Sequence, residues 1–510
     1  MIKRQMKKIL FILTLTLLVT ISIKADIILP AIISDNMILQ QNTEVNIWGK
    51  ADINEKIEIR TSWEEKRYST QADARGKWSL KIKTPIKTNL EQRLLIKGKN
   101  IIEVKNILIG EVWLCSGQSN MDFQVSKGTG WRTGVIDEEK EMQDATFPDI
   151  RLFHVEQKLS PEQELDDCEG QWLVCNPENL KTFSAVAFFF GKDLYKNINS
   201  PIGLVQSTWG GTHVESWTKM SEMKYDPVYA DLVYDFYNSR DNFEADLNRY
   251  EEQLKEYEIK KEVKGTDLQK PKKPKGIYHN KALSTLWNAM ISPILPYTIK
   301  GVIWYQGESN SIRHQDYKYV FTKMINSWRK EWGLGDFPFY FVQIAPHYKQ
   351  PPHIREAQLE TWQSVDNTGM VVITDAADST DIHPRHKQIP GARLAKWALA
   401  KTYGQDGAYS GPIYKSHEVQ EDKVIITFDY VDGGLYSSDG KSLKGFTLAG
   451  PDKKFYPATA VIDGDKVVLS APEVPFPMAI RYHWENFFRA NFYNKAQLPA
   501  SPFRTDRWTN

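Results

Sequence analysis

The chain has 510 residues, 41% of them hydrophobic and 25% charged, with a formal net charge of +1. That length exceeds what one hydrophobic core organises, so two to four domains are expected. A near-neutral charge balance argues against a nucleic-acid partner, and three cysteines are too few for a disulfide scaffold.

In chain order, the first segment reads as an export signal. Lys3, Arg4, Lys7 and Lys8 precede an apolar run from Ile9 to Ile23, and Ile23-Lys24-Ala25 offers a cleavage point before Asp26. The run is short for a bilayer span and carries three Thr and a Ser, so residues 1–25 are expected to be a signal peptide rather than an anchor. Its removal takes the net charge from +1 to −4, because it holds five Lys or Arg and no acid. The mature protein is then expected in the periplasm or outside the cell, with no membrane association after signal removal. Cys168 and Cys175 are close enough in sequence to pair in such a compartment, while Cys115 reads as a small buried apolar residue.

Residues 26–108 read as an N-terminal β-sandwich. Strands are expected at Glu44–Lys50, Lys56–Ser62, Trp78–Ile82, Arg93–Lys97 and Ile101–Ile107, separated by turns such as Asp73-Ala-Arg-Gly76. Residues 109–404 change to an α/β pattern. Strands at Val112–Leu114, Ile202–Gln206, Gly301–Tyr305, Phe339–Ile344 and Met370–Thr374 alternate with helices at Ala185–Asn197, Tyr317–Glu331 and Gly391–Lys401. Within this domain, residues 240–276 read as a charged helix and a Lys/Pro/Gly-rich loop, a solvated insertion. Residues 405–510 return to strands (Val424–Phe428, Phe446–Ala449, Lys466–Leu469, Ala479–Tyr482) and form a second β-rich domain.

Four segments could carry chemistry. Glu111-Val-Trp-Leu-Cys-Ser-Gly-Gln-Ser-Asn-Met121 is a strand running into a small-residue turn that presents Ser119. A helix starting there would supply N–H groups for a developing oxyanion; a plain structural turn is the alternative. Gly203 to Trp217 ends a strand in Gly210-Gly211, whose backbone N–H groups are unshielded donors, or else makes an ordinary β-α turn. Gly301-Val-Ile-Trp-Tyr-Gln-Gly-Glu-Ser-Asn310 gathers Gln306, Glu308 and Asn310 at a strand end. An amide there can donate to an oxyanion and a carboxylate can orient a histidine; a polar capping network is the alternative. In Thr374 to His386, His383 is the best general-base candidate among ten histidines. His383 and His386 also make His-x-x-His, but Pro384 interrupts the helix such a metal site needs and no third ligand stands out.

Together these segments resemble the sialate O-acetylesterase family of SGNH/GDSL-type hydrolases, particularly its secreted bacterial members. The resemblance runs in order through Ser34-Asp-Asn-Met-Ile-Leu-Gln-Gln41, Trp113 to Met121 and Gln206-Ser-Thr-Trp-Gly-Gly-Thr212. It continues through Trp304-Tyr-Gln-Gly-Glu-Ser-Asn310 and Asp381-Ile-His-Pro384 and closes with Leu498-Pro-Ala-Ser-Pro-Phe-Arg-Thr-Asp506. It implies an SGNH-hydrolase-like three-layer α/β/α domain with a parallel sheet, flanked by N-terminal and C-terminal β-sandwich-like domains. It further implies a serine esterase that removes O-acetyl groups from carbohydrate, sialate foremost, with no metal or organic cofactor.

Carried over, Ser119 resembles the nucleophile and His383 the base. The N–H groups of Ser119 and Gly211, or Gly210, resemble oxyanion donors. Gln306 resembles the amide of the superfamily's third block, with Asn310 its rival. The superfamily places the orienting acid three residues before the histidine, where this chain has Thr380. Glu308 is then the first expectation for the acid, Asp381 the second and Asp378 the third, with a Ser–His dyad also open. Trp209 and Trp217 are placed to stack on a sugar ring, whereas Trp304 belongs to a buried strand. Arg132, Arg313 and Arg385 are the cations nearest the motifs for a sialate carboxylate. The rival readings are an acetylxylan or other plant-polysaccharide acetyl esterase, and a non-catalytic carbohydrate-binding protein. A lipase-like enzyme fits less well, because the insertion at 240–276 is charged rather than an apolar lid.

Overall fold

The computed structural model describes residues 26–264 and 268–508; the expected signal segment, 1–25, lies outside them. A central sheet runs in the order Thr368–Val371, Phe339–Val342, Gly301–Tyr305, Ile101–Gly117, Ile202–Thr208, Phe147–His154, Trp172–Cys175. Every neighbouring pair is parallel except the last, which is antiparallel. Ile202–Thr208 and Gly301–Tyr305 are buried at every position, as strands covered on both faces must be. Helix Ala185–Ile198 packs on Gln388–Lys401, and His314–Trp332 packs on Pro352–Ser364. This is an SGNH-like α/β domain with β-regions at both ends.

The last two strands of the sheet, Phe147–His154 and the edge strand Trp172–Cys175, are additions to the expected set. Pro148, Asp149 and Arg151 break the apolar pattern of the first, and the second is only four residues long. Pairing with Ile202–Thr208 makes the first into a strand, and the first in turn pairs with the second.

The N-terminal boundary expected at 108 falls inside one strand. Ile101–Gly117 is 17 residues long; its first half pairs antiparallel with Thr88–Lys97, and its second half is the middle of the parallel sheet. Its burial turns from mixed to complete at Ile107. One continuous apolar core joins the N-terminal strands to the α/β domain, while the C-terminal strands hold a core of their own.

The C-terminal unit is fastened to the α/β domain by its closing motif. Ser501 Oγ is 3.2 Å from Gln343 Nε2, and Arg504 makes a two-pronged ion pair with Glu356 at 2.8 and 2.9 Å. The charged insertion is dominated by helix Phe243–Lys264, largely exposed along the part described. Among the described residues no helix is long and apolar enough to cross a membrane. Cys168 and Cys175 are both buried free thiols, so the pairing open to them in sequence is not made; burial pushes each thiol up to about 12. Cys115 is buried as expected.

Candidate active site

The parallel sheet brings the four polar segments to one edge. The long strand stops at Gly117, with φ +143°, where a Cβ would stand 2.2 Å from the Tyr305 carbonyl oxygen. That close approach lets the Gln118 N–H donate to Tyr305 O at 3.0 Å. The chain then turns tightly, with the N–H groups of Met121 and Asp122 both donating to Gln118 O at 2.9 Å. The helix expected after Ser119 does not form. Asn120 and Asp122 are held instead by tertiary bonds, and short polar side chains so anchored compete with helix formation. Asp122 accepts from Thr208 Oγ1 and from Arg132 Nη2, both at 2.7 Å.

Ser119 Oγ lies 2.9 Å from His383 Nε2 across 264 residues of sequence. Asp381 Oδ1 accepts the His383 backbone N–H at 2.8 Å and stands 3.6 Å from Nδ1. Asp378 shapes the same loop, its Oδ1 accepting from the Thr380 N–H and hydroxyl and from the Asp381 N–H. The Trp131 ring stacks on the imidazole at 4.6 Å. Burial first, and then the Lys387 charge, hold the His383 pKa down at about 4 against the pull of Asp381. The ring is therefore neutral near pH 7 and free to accept a proton.

The two leading acids are placed in the reverse of the expected order. Glu308 reaches the cavity wall, but its Oε1 accepts from Asn120 Nδ2 at 2.6 Å and its Oε2 has no partner among the described residues. Burial pushes its carboxyl up. Asp381 is the carboxylate beside Nδ1, because it sits on the same short loop as the ring.

The expected amide donors are spent elsewhere. Both hydrogens of Gln306 Nε2 are used, on Thr212 O at 3.1 Å and Asn310 Oδ1 at 2.7 Å. Asn310 Nδ2 donates to Glu215 Oε2 at 3.0 Å, and Asn310 Oδ1 also accepts the Val214 N–H at 3.1 Å. Both residues are buried and neither lines the cavity. By contrast, the backbone N–H groups of Ser119, Gly210 and Gly211 have no partner among the described residues. A Cβ at Gly210 would sit 3.3 Å from the Ser119 Cβ, and Gly211 has φ +73° with open space before it. Those N–H groups are therefore free to donate to a bound group.

A cavity of ≈ 550 Å³ surrounds the pair, walled by Trp131, Arg132, Gln157, Trp209 and the Gly210-Gly211 turn. Trp209 is on this wall as expected. Trp217 is not: it is fully buried, donates to Thr212 Oγ1 at 3.0 Å and meets Trp304 edge-on. Trp304 is buried too, as expected. Of the three cations near the motifs, only Arg132 lines the cavity. Arg313 is paired with buried Glu215 at 2.7 Å, and Arg385 donates to the Gly134 and Val135 carbonyls. His386 is exposed and stands apart from the cavity lining. Trp131, Gln157, Asn120 and Lys387 had carried no role in the sequence. Trp131 lies in a Gly-rich stretch, Gly128 to Gly134, whose only signal is a turn. A larger hollow of ≈ 650 Å³, walled by Trp48, Lys50, Trp78 and Asp166, contains no histidine and lies apart from this chemistry.

Residues 109–255 and 258–402 match the family described as carbohydrate esterase, sialic acid-specific acetylesterase. Sialate O-acetylesterase of Mus musculus is 30% identical over 455 residues, covering 79% of this chain and 78% of that protein. The human enzyme of the same name is 29% identical over 457 residues, 81% of this chain and 78% of its own. A carbohydrate acetylesterase from Xanthomonas citri superposes with a TM-score of 0.79 at 31% identity, over 94% of this chain and 100% of that one. With a serine and a neutral histidine in contact beneath unpaired N–H donors, and with this breadth of match, the chain belongs to the carbohydrate esterase family of sialic acid-specific acetylesterases.

Proposed function

We propose that this carboxylic ester hydrolase removes O-acetyl groups from sialic acids by two-step acyl transfer. The observation that carries the mechanism is the 2.9 Å contact of Ser119 Oγ with a neutral His383 Nε2. His383 takes the hydroxyl proton as Ser119 attacks the acetyl carbonyl. The N–H groups of Ser119 and of Gly211 or Gly210 hold the resulting oxyanion. The C–O bond to the sugar breaks, the sugar oxygen takes the proton from His383, and the acetyl group stays on Ser119. Water, deprotonated by His383, then releases acetate and restores the serine. Asp381 favours the imidazolium that forms in each half-reaction.

Arg132 supports the sialate reading. It is the sole Lys or Arg among the described residues lining the cavity, where a sialate carboxylate would have to sit. One nitrogen is tied to Asp122 and the guanidinium lies 4.5 Å over the Trp131 ring, which fixes its plane. The cavity is roomier than an acetyl group and has space for the sugar that carries it. The test is acetate release from O-acetylated sialic acid and from acetylated xylo-oligosaccharides side by side, with Ser119→Ala as control. Preference for sialate supports this reading, preference for the xylan fragments moves the enzyme to plant polysaccharide, and no release from either favours a carbohydrate-binding protein.

Its place of work is proposed to be outside the cytoplasm, on the strength of the basic and apolar pattern of residues 3–25. Recovery of the enzyme in the cytoplasmic fraction, with its chain still beginning at Met1 by mass spectrometry, would refute this.

A further inference from the structure

Behind Ser119 and His383 lies a chain of buried polar side chains that the acyl-transfer steps leave unused. Asn120 directly follows the nucleophile and is fully buried. Its Nδ2 donates to Glu308 Oε1 at 2.6 Å and to the Ile382 carbonyl at 3.0 Å, and its Oδ1 accepts from Lys387 Nζ at 2.5 Å. Lys387 is also buried, at the start of helix Gln388–Lys401. Its Nζ lies over the rings of Phe123 at 4.7 Å and Tyr305 at 5.4 Å.

A side-chain amide can turn over and exchange its donor and acceptor ends, so its neighbours decide which way it points. An ammonium offers only hydrogens and a carboxylate only lone pairs. With a protonated Lys387 on one side and an ionised Glu308 on the other, the Asn120 oxygen faces Lys387 and the NH2 faces Glu308. The second N–H is thereby aimed at Ile382, the residue before His383. Turning the amide over would set donor against donor and acceptor against acceptor in a dry site, where unpaired polar groups are costly.

We propose that Lys387, Asn120 and Glu308 form a positioning chain that holds the His383 loop against Ser119, an inference that rests on the catalytic reading of that pair. Lys387 acts on His383 through Asn120 and Ile382, and through its charge. The charged and titratable groups facing the ring are Asp381 on its own loop, Lys387 on the following helix and His347 after strand Phe339–Val342. Arg132 and Glu308 complete the set from the cavity wall. Asp381 favours a proton on the ring; Lys387 and His347 oppose it. Burial brings Lys387 down to about 7, so it is charged throughout the acid range where His383 titrates.

The experiment is the pH profile of kcat/KM for Lys387→Met in the full chain, with a chromogenic acetyl ester as substrate. The expected result is a fall in kcat of about tenfold or more, a KM within about threefold, and an acid limb moved upward by about half to one pH unit. A folded Lys387→Met enzyme whose acid limb does not move overturns the proposal, whether or not kcat falls, since loss of packing alone would not alter the ring's proton affinity. Should that variant fail to fold, Glu308→Gln reads the chain from its other end. Its amide oxygen still accepts from Asn120, so a loss under about tenfold supports positioning. A larger loss overturns it, because the Glu308 charge would then be acting on His383 directly. Ser119→Ala separates the two readings. If it stays active, the catalytic assignment itself has failed; if it is inactive while Lys387→Met matches wild type, only this inference has.

Discussion

Two clusters of polar side chains stand at the same edge of the parallel sheet, and they are built on opposite terms. Around Gln306 and Asn310 the bonds close on one another: Gln306 to Thr212 and Asn310, Asn310 to Glu215, Glu215 to Arg313, and Tyr317 to Gln306 Oε1 at 2.9 Å. Around Ser119 the bonds stay open. Three backbone N–H groups lack partners, and the acid is 3.6 Å rather than a full hydrogen bond from the imidazole. A closed cluster can only hold a shape, because every donor already has its acceptor. An open one has capacity left for a charge that forms during reaction. In sequence the two look alike, and the closed cluster carries the more conspicuous amides.

The contrast can be broken at several points. The largest effect is expected from Ser119→Ala, which should cut acetate release by about 10³-fold or more while leaving the melting curve in place. Its counterpart in the closed cluster is Asn310→Ala. Removing that amide strands Gln306, Glu215 and the Val214 N–H, and should cost about 3 kcal/mol of stability in a denaturant titration. The fraction that remains folded should keep turnover within severalfold of wild type; a loss as deep as that of Ser119→Ala would return Asn310 to the chemistry.

The pH profile sharpens the same distinction. A depressed pKa means that His383 remains neutral, and so able to accept the serine proton, until the pH falls to about 4. Activity should therefore hold from neutral pH down to about 5 and decline below it, rather than near the ordinary imidazole value of about 6.5. An acid limb at that ordinary value would show that the ring is more hydrated than its surroundings here imply. The smallest effect is expected from Trp209→Ala on the cavity wall: a KM for the sugar raised about two- to tenfold, with little change in stability. Trp217→Ala, in the core, should do the reverse and destabilise by about 3–5 kcal/mol.

Much of the framework was legible because periodicity and turn chemistry are local. Strands Glu44–Lys50, Gly301–Tyr305, Phe446–Ala449 and Ala479–Tyr482 have the bounds their residues imply. Strand Phe147–His154 was not legible, since its Pro, Asp and Arg break the apolar pattern and only its pairing with Ile202–Thr208 and Trp172–Cys175 holds it in the sheet. The ranking of Glu308 above Asp381 failed for a similar reason. A carboxylate at a strand end reads as poised, yet the group it reaches, the Asn120 amide, is 188 residues away in sequence. Trp217 and Trp209 flank the same Gly-Gly turn, and no local feature says that one faces the core and the other the cavity.

By itself, then, the sequence determined the order of strands and helices, the switch from β to α/β and back, and the residue types able to run acyl transfer. Those properties depend on near neighbours: side-chain period, glycine at tight turns, and a hydroxyl and an imidazole among small residues. Only the tertiary structure decided which polar groups were left unpaired, which acid met the imidazole, and that a buried lysine stood behind the site. Each of those outcomes depends on what desolvates a group and what faces it across the sheet edge, and both are supplied by residues distant in the chain.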